Sequence, residues 1–221
     1  MKKPKLLNID SLSLQNILDD ESELIPLMTP EDEEEINRET IPEKLAILPL
    51  RNTVLFPGVV IPITAGRDKS IELIKAANEG DKIIGVVAQK NESTENPGPN
   101  DVFRVGVVAQ ILRVLKMPDG NTTVIIQGKK RFEIDYFTTE DPYLEAVTKE
   151  YPENREIDNK KEFSAIIDSV KELALQVIQE NPNIPSEASF AIKNIQSDSF
   201  LVNFIAANMN LSTPEKQRIL E

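Results

Sequence analysis

The chain has 221 residues, 40% of them hydrophobic, no cysteine, no histidine and a formal net charge of -12. Without cysteine there is no disulfide framework and no thiolate chemistry; without histidine the Ser-His-Asp and Cys-His nucleophile systems, His-ligated zinc and the usual general base are excluded. An acidic field of that size repels phosphate backbones, which makes nucleic acid a poor direct partner.

No apolar run approaches the length of a membrane span. Lys2, Lys3 and Lys5 precede Leu6 and Leu7 as in a signal peptide, but Asn8, Asp10 and Ser11 break the apolar part at once. No small-residue cleavage site follows, and the protein reads as cytoplasmic. Leu6, Leu7, Ile9, Leu12, Leu14, Ile17 and Leu18 fit one weak amphipathic helix. Residues 19–39 are then dominated by carboxylates, including the run Glu31-Asp32-Glu33-Glu34-Glu35. Charges this dense repel one another and bury little apolar area, which predicts a disordered or extended segment. Residues 1–43 therefore read as an acidic leader, either solubilising or partner-binding.

From Lys44 the patterning sharpens. Two apolar runs, 45–50 and 59–63, flank a loop carrying Arg51, Asn52, Phe56, Pro57 and Gly58, and read as two strands. Pro49, Pro57 and Pro62 cannot donate ladder hydrogen bonds, so each is expected at a strand end, an edge or a bulge. Gly66-Arg67-Asp68-Lys69-Ser70 leads into Ile71, Leu73, Ile74 and Ala77, a short helix with an apolar face, ended by Gly80. Residues 82–89 form a buried strand, 91–101 a loop and 102–116 a long strand with a bulge at Gly106. Pro118-Asp119-Gly120 turns the chain into a hairpin partner at 122–127. Gly128-Lys129-Lys130-Arg131 then leads into alternating Phe132, Ile134 and Tyr136, and a last strand covers 143–150. The sum is about six strands and one helix, the size of a small barrel.

Residues 151–157 are polar and contain Pro152, a linker signature. Beyond them the period changes to helical: Phe163, Ile166, Ile167, Val170, Leu173, Ala174, Val177 and Ile178, with Asn181-Pro182 as the stop. Ser186 opens a second helix, and Phe200, Leu201, Phe204, Ile205 and Met209 define a third. Ser212-Thr213-Pro214-Glu215 is a strong helix start, with Glu three residues after the capping hydroxyl. Only six residues follow Glu215, so the chain reads as a fragment whose last helix continues.

No constellation of catalytic residues emerges. Gly128-Lys129-Lys130 lacks the first glycine and the hydroxyl of a phosphate loop. No serine sits in a Gly-x-Ser-x-Gly elbow. The run 31–35 lacks the glycine and ligand spacing of a calcium loop. Lys129, Lys130 and Arg131 form the one basic cluster of the β region and read as a hairpin-edge surface patch. A binding or assembly module fits better than an enzyme acting alone.

The segment Ile47-Leu48-Pro49-Leu50-Arg51-Asn52-Thr53-Val54-Leu55-Phe56-Pro57-Gly58, then Ile61-Pro62, resembles the opening of the Lon protease N-terminal substrate-binding domain. Gly66 to Ser70, Val87-Ala88-Gln89-Lys90, Asp101 to Gly106, Leu115 to Gly120 and Gly128 to Arg131 resemble that family's later motifs, in order. The resemblance covers residues 44–221. It implies an α+β fold: a PUA-like six-stranded β pseudo-barrel with one short helix over 44–150, a linker at 151–157, and an all-α helical subdomain over 158–221. It implies a parent that is a homohexameric, ATP-dependent serine protease with a Ser-Lys dyad. ATP and Mg2+ would serve its ATPase domain, and this stretch carries no cofactor. The expected partners are unfolded, damaged or degron-bearing proteins, with Phe56, Pro57, Arg67, Asp68 and Lys69 as part of the binding surface. A stand-alone adaptor of the same type is one alternative. A PUA-like RNA-binding module is another, against which the acidic charge argues.

Overall fold

The computed structural model describes residues 28–116, 122–151, 159–181, 184 and 186–221. The expected amphipathic helix before residue 19, the turn at 118–120 and most of the linker lie outside them.

The β region comprises β1 (Lys44–Leu50), β2 (Val60–Ala65), β3 (Ile83–Ala88), β4 (Val105–Lys116), β5 (Thr122–Thr139) and β6 (Leu144–Glu150). These six strands form one sheet in the order β2-β5-β4-β3-β1-β6, and β5 also pairs with β6. Five strands therefore close into a ring, and β2 attaches outside it along β5. Only β1 and β3 are parallel. The expected α+β class and six-stranded barrel are what the chain forms.

Two strand expectations change. The stretches 122–127 and 132–136 are not separate strands but halves of the single 18-residue β5. Its first half pairs with β2 and its second with β6, while β4 runs beside both. Gly106 is not a bulge: it pairs in register with Phe132, and the shifts of β4 fall between Val107 and Ala109 and between Ile111 and Arg113.

The prolines lie where a missing donor does least harm. Pro49 pairs with Val87 of β3, but the β6 ladder ends at Ile47, so its other side is unpaired. Phe56-Pro57-Gly58-Val59 is a turn closed by Val59 N–H to Phe56 O at 3.2 Å, with Gly58 at φ 78. That is the type II geometry, which wants proline second and glycine third. Gly128 O accepts from Gly58 N–H and Gly128 N–H donates to Val59 O, both at 2.9 Å, so Gly58 and Val59 together face Gly128 and the Val59 carbonyl points to β5 where the ladder starts. Alternation then turns the backbone of Val60, Pro62 and Thr64 away from β5, toward the open edge.

The helix α1 (Pro30–Arg38) corrects the expectation that residues 30–38 are disordered or extended. Thr29 accepts from Asp32 N–H at 3.2 Å, while Asp32 accepts from Thr29 N–H at 2.9 Å, a complete capping box. Glu31, Asp32 and Glu33 occupy the first turn, where the helix dipole favours carboxylates, and Arg38 occupies the last. Repulsion is therefore offset locally, and Met28 and Ile36 are buried in the main core. The other α-helices are α2 (Asp68–Glu79), α3 (Lys160–Glu180), α4 (Ser186–Asn194), α5 (Asp198–Asn208) and α6 (Thr213–Leu220). Asn159 caps α3, Ser197 caps α5, and Ser212 and Glu215 form the expected capping box of α6.

One apolar cluster runs from the barrel into the helices, joining Leu48, Phe56, Leu73, Val107 and Ile126 to Met28, Ile36, Phe200, Leu201 and Leu220. A smaller one, around Ile47, Phe132, Ile134 and Ala146, fills the other part of the barrel.

Two consequences are measurable. Hydrogen bonds from Thr29 hold the Asp32 carboxyl below its ordinary value, the backbone donor first, and those from Ser212 do the same for Glu215, the side-chain donor first. Their stabilisation is present above the unfolded-state pKa and is lost as pH falls through the folded one. In an NMR titration, Thr29→Val raises the Asp32 pKa toward the free-carboxylate value, and Ser212→Ala does so for Glu215. Separately, Phe56 is 0% exposed, so Phe56→Ala lowers unfolding free energy by about 3–5 kcal/mol in urea titrations.

Candidate functional site

The loop before β2 faces inward. Phe56, expected as part of the binding surface, is fully buried. The turn leaves its ring inside the core and its neighbour Gly58 against the helical region. A Cβ on Gly58 would lie 2.1 Å from the Met28 methyl and 2.7 Å from the Phe200 ring. Pro57 is half-buried, and its carbonyl accepts from Asn203 Nδ2 at 3.2 Å. This loop docks the helices onto the barrel. The Phe56 backbone also crosses β5 so closely that a Cβ on Gly128 would meet its carbonyl oxygen at 2.3 Å.

Arg67, Asp68 and Lys69 stand at the start of α2, on the opposite flank of β1. Arg67 lies just before the helix and makes no side-chain cap. Its guanidinium instead donates to Gln89 Oε1 at 2.8 Å and to Thr94 O at 3.4 Å. Gln89 is 2% exposed, and its amide donates to Asn91 O and Thr94 O, both at 2.6 Å. Arg67 and Gln89 thus fasten the loop 91–101 to the end of β3. Burial, then the charge of Arg51, pulls the Arg67 pKa down, yet an arginine stays protonated. Lys69 reaches the other way. Its Nζ donates to Glu140 O at 2.8 Å and pairs with Asp141 at 2.5 Å, in the turn between β5 and β6. Asp68 is exposed on the first turn of α2.

Between these two ties lies a cleft of about 90 Å³. Leu48, Pro49, Leu73 and Leu144 form its apolar floor, with Arg67 and Asn96 to Gly98 on one wall and Lys69, Glu140 and Tyr143 on the other. Leu48 of β1 and Leu73 of α2 are 1% exposed, so the floor belongs to the main core. The lining contains no cysteine, histidine or metal-binding cluster. It can take up an apolar side chain and offer a polar rim, and this is recognition chemistry.

Of the expected residues, Arg67 and Lys69 meet at this cleft; Phe56 and Pro57 lie at the helical junction instead. Neither cation is merely solvated, since each anchors one wall. Gln89, Tyr143 and Asp141 went unread as site residues. Their signals were a glutamine ending a buried strand and a proline-containing turn before the last one.

The basic cluster is likewise not a surface patch. The side chains of Lys129 and Lys130 are each 13% exposed. Lys130 Nζ donates to Asn37 O at 3.3 Å and Glu39 O at 3.2 Å, and Lys129 pairs with Glu39 at 3.4 Å. Arg131 donates to Leu220 O at 2.9 Å and lies over the Tyr151 ring, whose hydroxyl donates to Glu221 O. These cations hold helix ends, where carbonyls gather negative charge.

Comparison with known proteins agrees with this architecture. Residues 44–221 match the family model of the ATP-dependent protease La (LON) substrate-binding domain. The chain is 66% identical over 220 residues to the Lon protease of Flavobacterium johnsoniae, covering 100% of this chain and 27% of that protein. It is 49% identical over 199 residues to that of Cytophaga hutchinsonii, covering 90% of this chain and 24% of the relative. It spans about a quarter of the length of these curated relatives. The N-terminal domain of Mycobacterium avium complex Lon protease has the same fold, with a TM-score of 0.64 at 23% identity, over 80% of this chain and 89% of that one. A Lon N-terminal domain protein from Xanthomonas campestris gives a TM-score of 0.56 at 16% identity, over the same shares of the two chains. The chain belongs to the family of substrate-binding domains of the ATP-dependent protease La, Lon.

Proposed function

We propose that this domain selects unfolded, damaged or degron-bearing polypeptides for a Lon-type ATP-dependent serine protease in the cytoplasm. The observation that carries the reading is the apolar-floored cleft whose walls Arg67 and Lys69 hold apart. Damaged proteins expose apolar side chains that native proteins bury. A cleft of this size takes one such side chain at a time, so each engagement is weak. Several copies in a hexamer would strengthen it by multivalency, and the ATPase and Ser-Lys peptidase domains of the parent would act on what is held. Arg67 and Lys69 serve as positioning residues, and Pro49 and Tyr143, partly exposed apolar members of the lining, contact the client.

The test is fluorescence anisotropy with reduced, carboxymethylated α-lactalbumin, a permanently unfolded probe. Tyr143→Asp places a charge at the cleft mouth and weakens binding about tenfold, or ~1.4 kcal/mol, with the melting temperature held. Undiminished affinity would remove the cleft from the reading. Arg67→Ala frees the loop 91–101, so amide exchange at Lys90 and Asp101, which are tied to Asp101 O and Gly98 O, accelerates. Unchanged protection there would show that Arg67 fastens nothing.

A further inference from the structure

We propose a second polypeptide-binding groove on this domain, distinct from the cleft, which its own acidic helix α1 fills in cis and which an unfolded chain enters by displacing α1. The proposal rests on the reading of the domain as a client-binding module.

The groove lies between β5 and α5, and what it grips in α1 is general. Met28 and Ile36, each 7% exposed, are its two apolar anchors, eight positions apart in sequence. The Met28 methyl and sulfur lie against Gly58, beside the Phe200 ring. A socket that holds an unbranched thioether accommodates other apolar side chains with little loss. The polar grip is on backbone. Lys130 binds the carbonyls of Asn37 and Glu39, which any chain offers at the end of a helical turn. Lys129 adds a carboxylate contact with Glu39, and Ser197 donates to the Glu33 carboxylate. The groove therefore suits a segment with two apolar anchors eight positions apart, one just before a helix N-cap and one in the helix's last turns, and nearby carboxylates.

The occupant is also weakly held. A nine-residue helix does not persist alone in water, so undocking α1 amounts to unfolding it. Glu31, Glu34 and Glu35 face solvent, and of the exposed carboxylates of the run only Asp32 is drawn to the groove, by the charge of Lys129. The chain as a whole is strongly acidic, so its field opposes retention of these carboxylates. Release would expose the Gly58 and Phe200 surface beside two cations.

Three proteins and the same unfolded α-lactalbumin probe test this. They are wild type, the strap variant Met28→Ser with Ile36→Ser, and a Glu33→Cys, Ser197→Cys protein joined by a short bismaleimide in a chain with no other cysteine. In wild type, saturating probe speeds amide exchange of residues 33–38. The strap variant binds about fivefold tighter, because the competent fraction rises, and cross-linking abolishes the exchange response. Unchanged protection of α1 in probe-saturated wild type overturns the proposal whether or not the variant folds. So does a cross-linked protein that binds as tightly as the strap variant. Probe bound to wild type with α1 untouched defeats this inference alone, while no binding to any of the three defeats the client-binding reading as well.

Discussion

The turn Phe56-Pro57-Gly58 is the contact on which the rest of the molecule depends. Its first residue points into the barrel, and its third forms a bare backbone patch on the outside. Because Gly58 has no side chain, Met28 and Phe200 can reach the barrel wall and join one continuous core. Because Pro57 and the positive φ of Gly58 fix the turn, the two directions are coupled. The barrel, the C-terminal helices and the acidic helix are assembled around this turn and share one core rather than being linked as separate lobes.

Cations organise the second tier. The consecutive residues Lys129, Lys130 and Arg131 lie on β5 just past its crossing with the turn. They hold the end of α1 on one side and the end of α6 on the other. Arg67 and Lys69 do similar work around the cleft, one tying a loop and the other a turn. In a chain of net charge -12 the basic residues are the scarcer sign. Several of them serve as internal fasteners for carbonyls and loops.

Much of this was legible in the sequence. Alternation located the strands, the 3.6-residue period located the C-terminal helices, and Ser212 with Glu215 marked the start of α6. What escaped was tertiary. The charge run 31–35 reads as solvated until Thr29 and Asp32 are seen closing a capping box and Met28 and Ile36 are seen buried. Phe56 has the same sequence neighbourhood whether it faces in or out; only the approach of β5 at Gly128 decides. Periodicity breaks at Gly128 without the strand ending, because glycine there admits a crossing backbone. Gln89 was read as a strand end, and its burial follows from a loop that folds back over it.

The arrangement of β2 bears on how such a domain survives its surroundings. The ring closes through β5 and β6, so β2 carries the sheet's open edge. An open edge is a template for cross-strand addition, and unfolded chains are the species most ready to add. The outward backbone of this edge is that of Val60, Pro62 and Thr64, and proline removes the central donor of the three. A strand laid along it would lose register support at its midpoint. The backbone of this edge thus offers an adding strand no continuous ladder to extend.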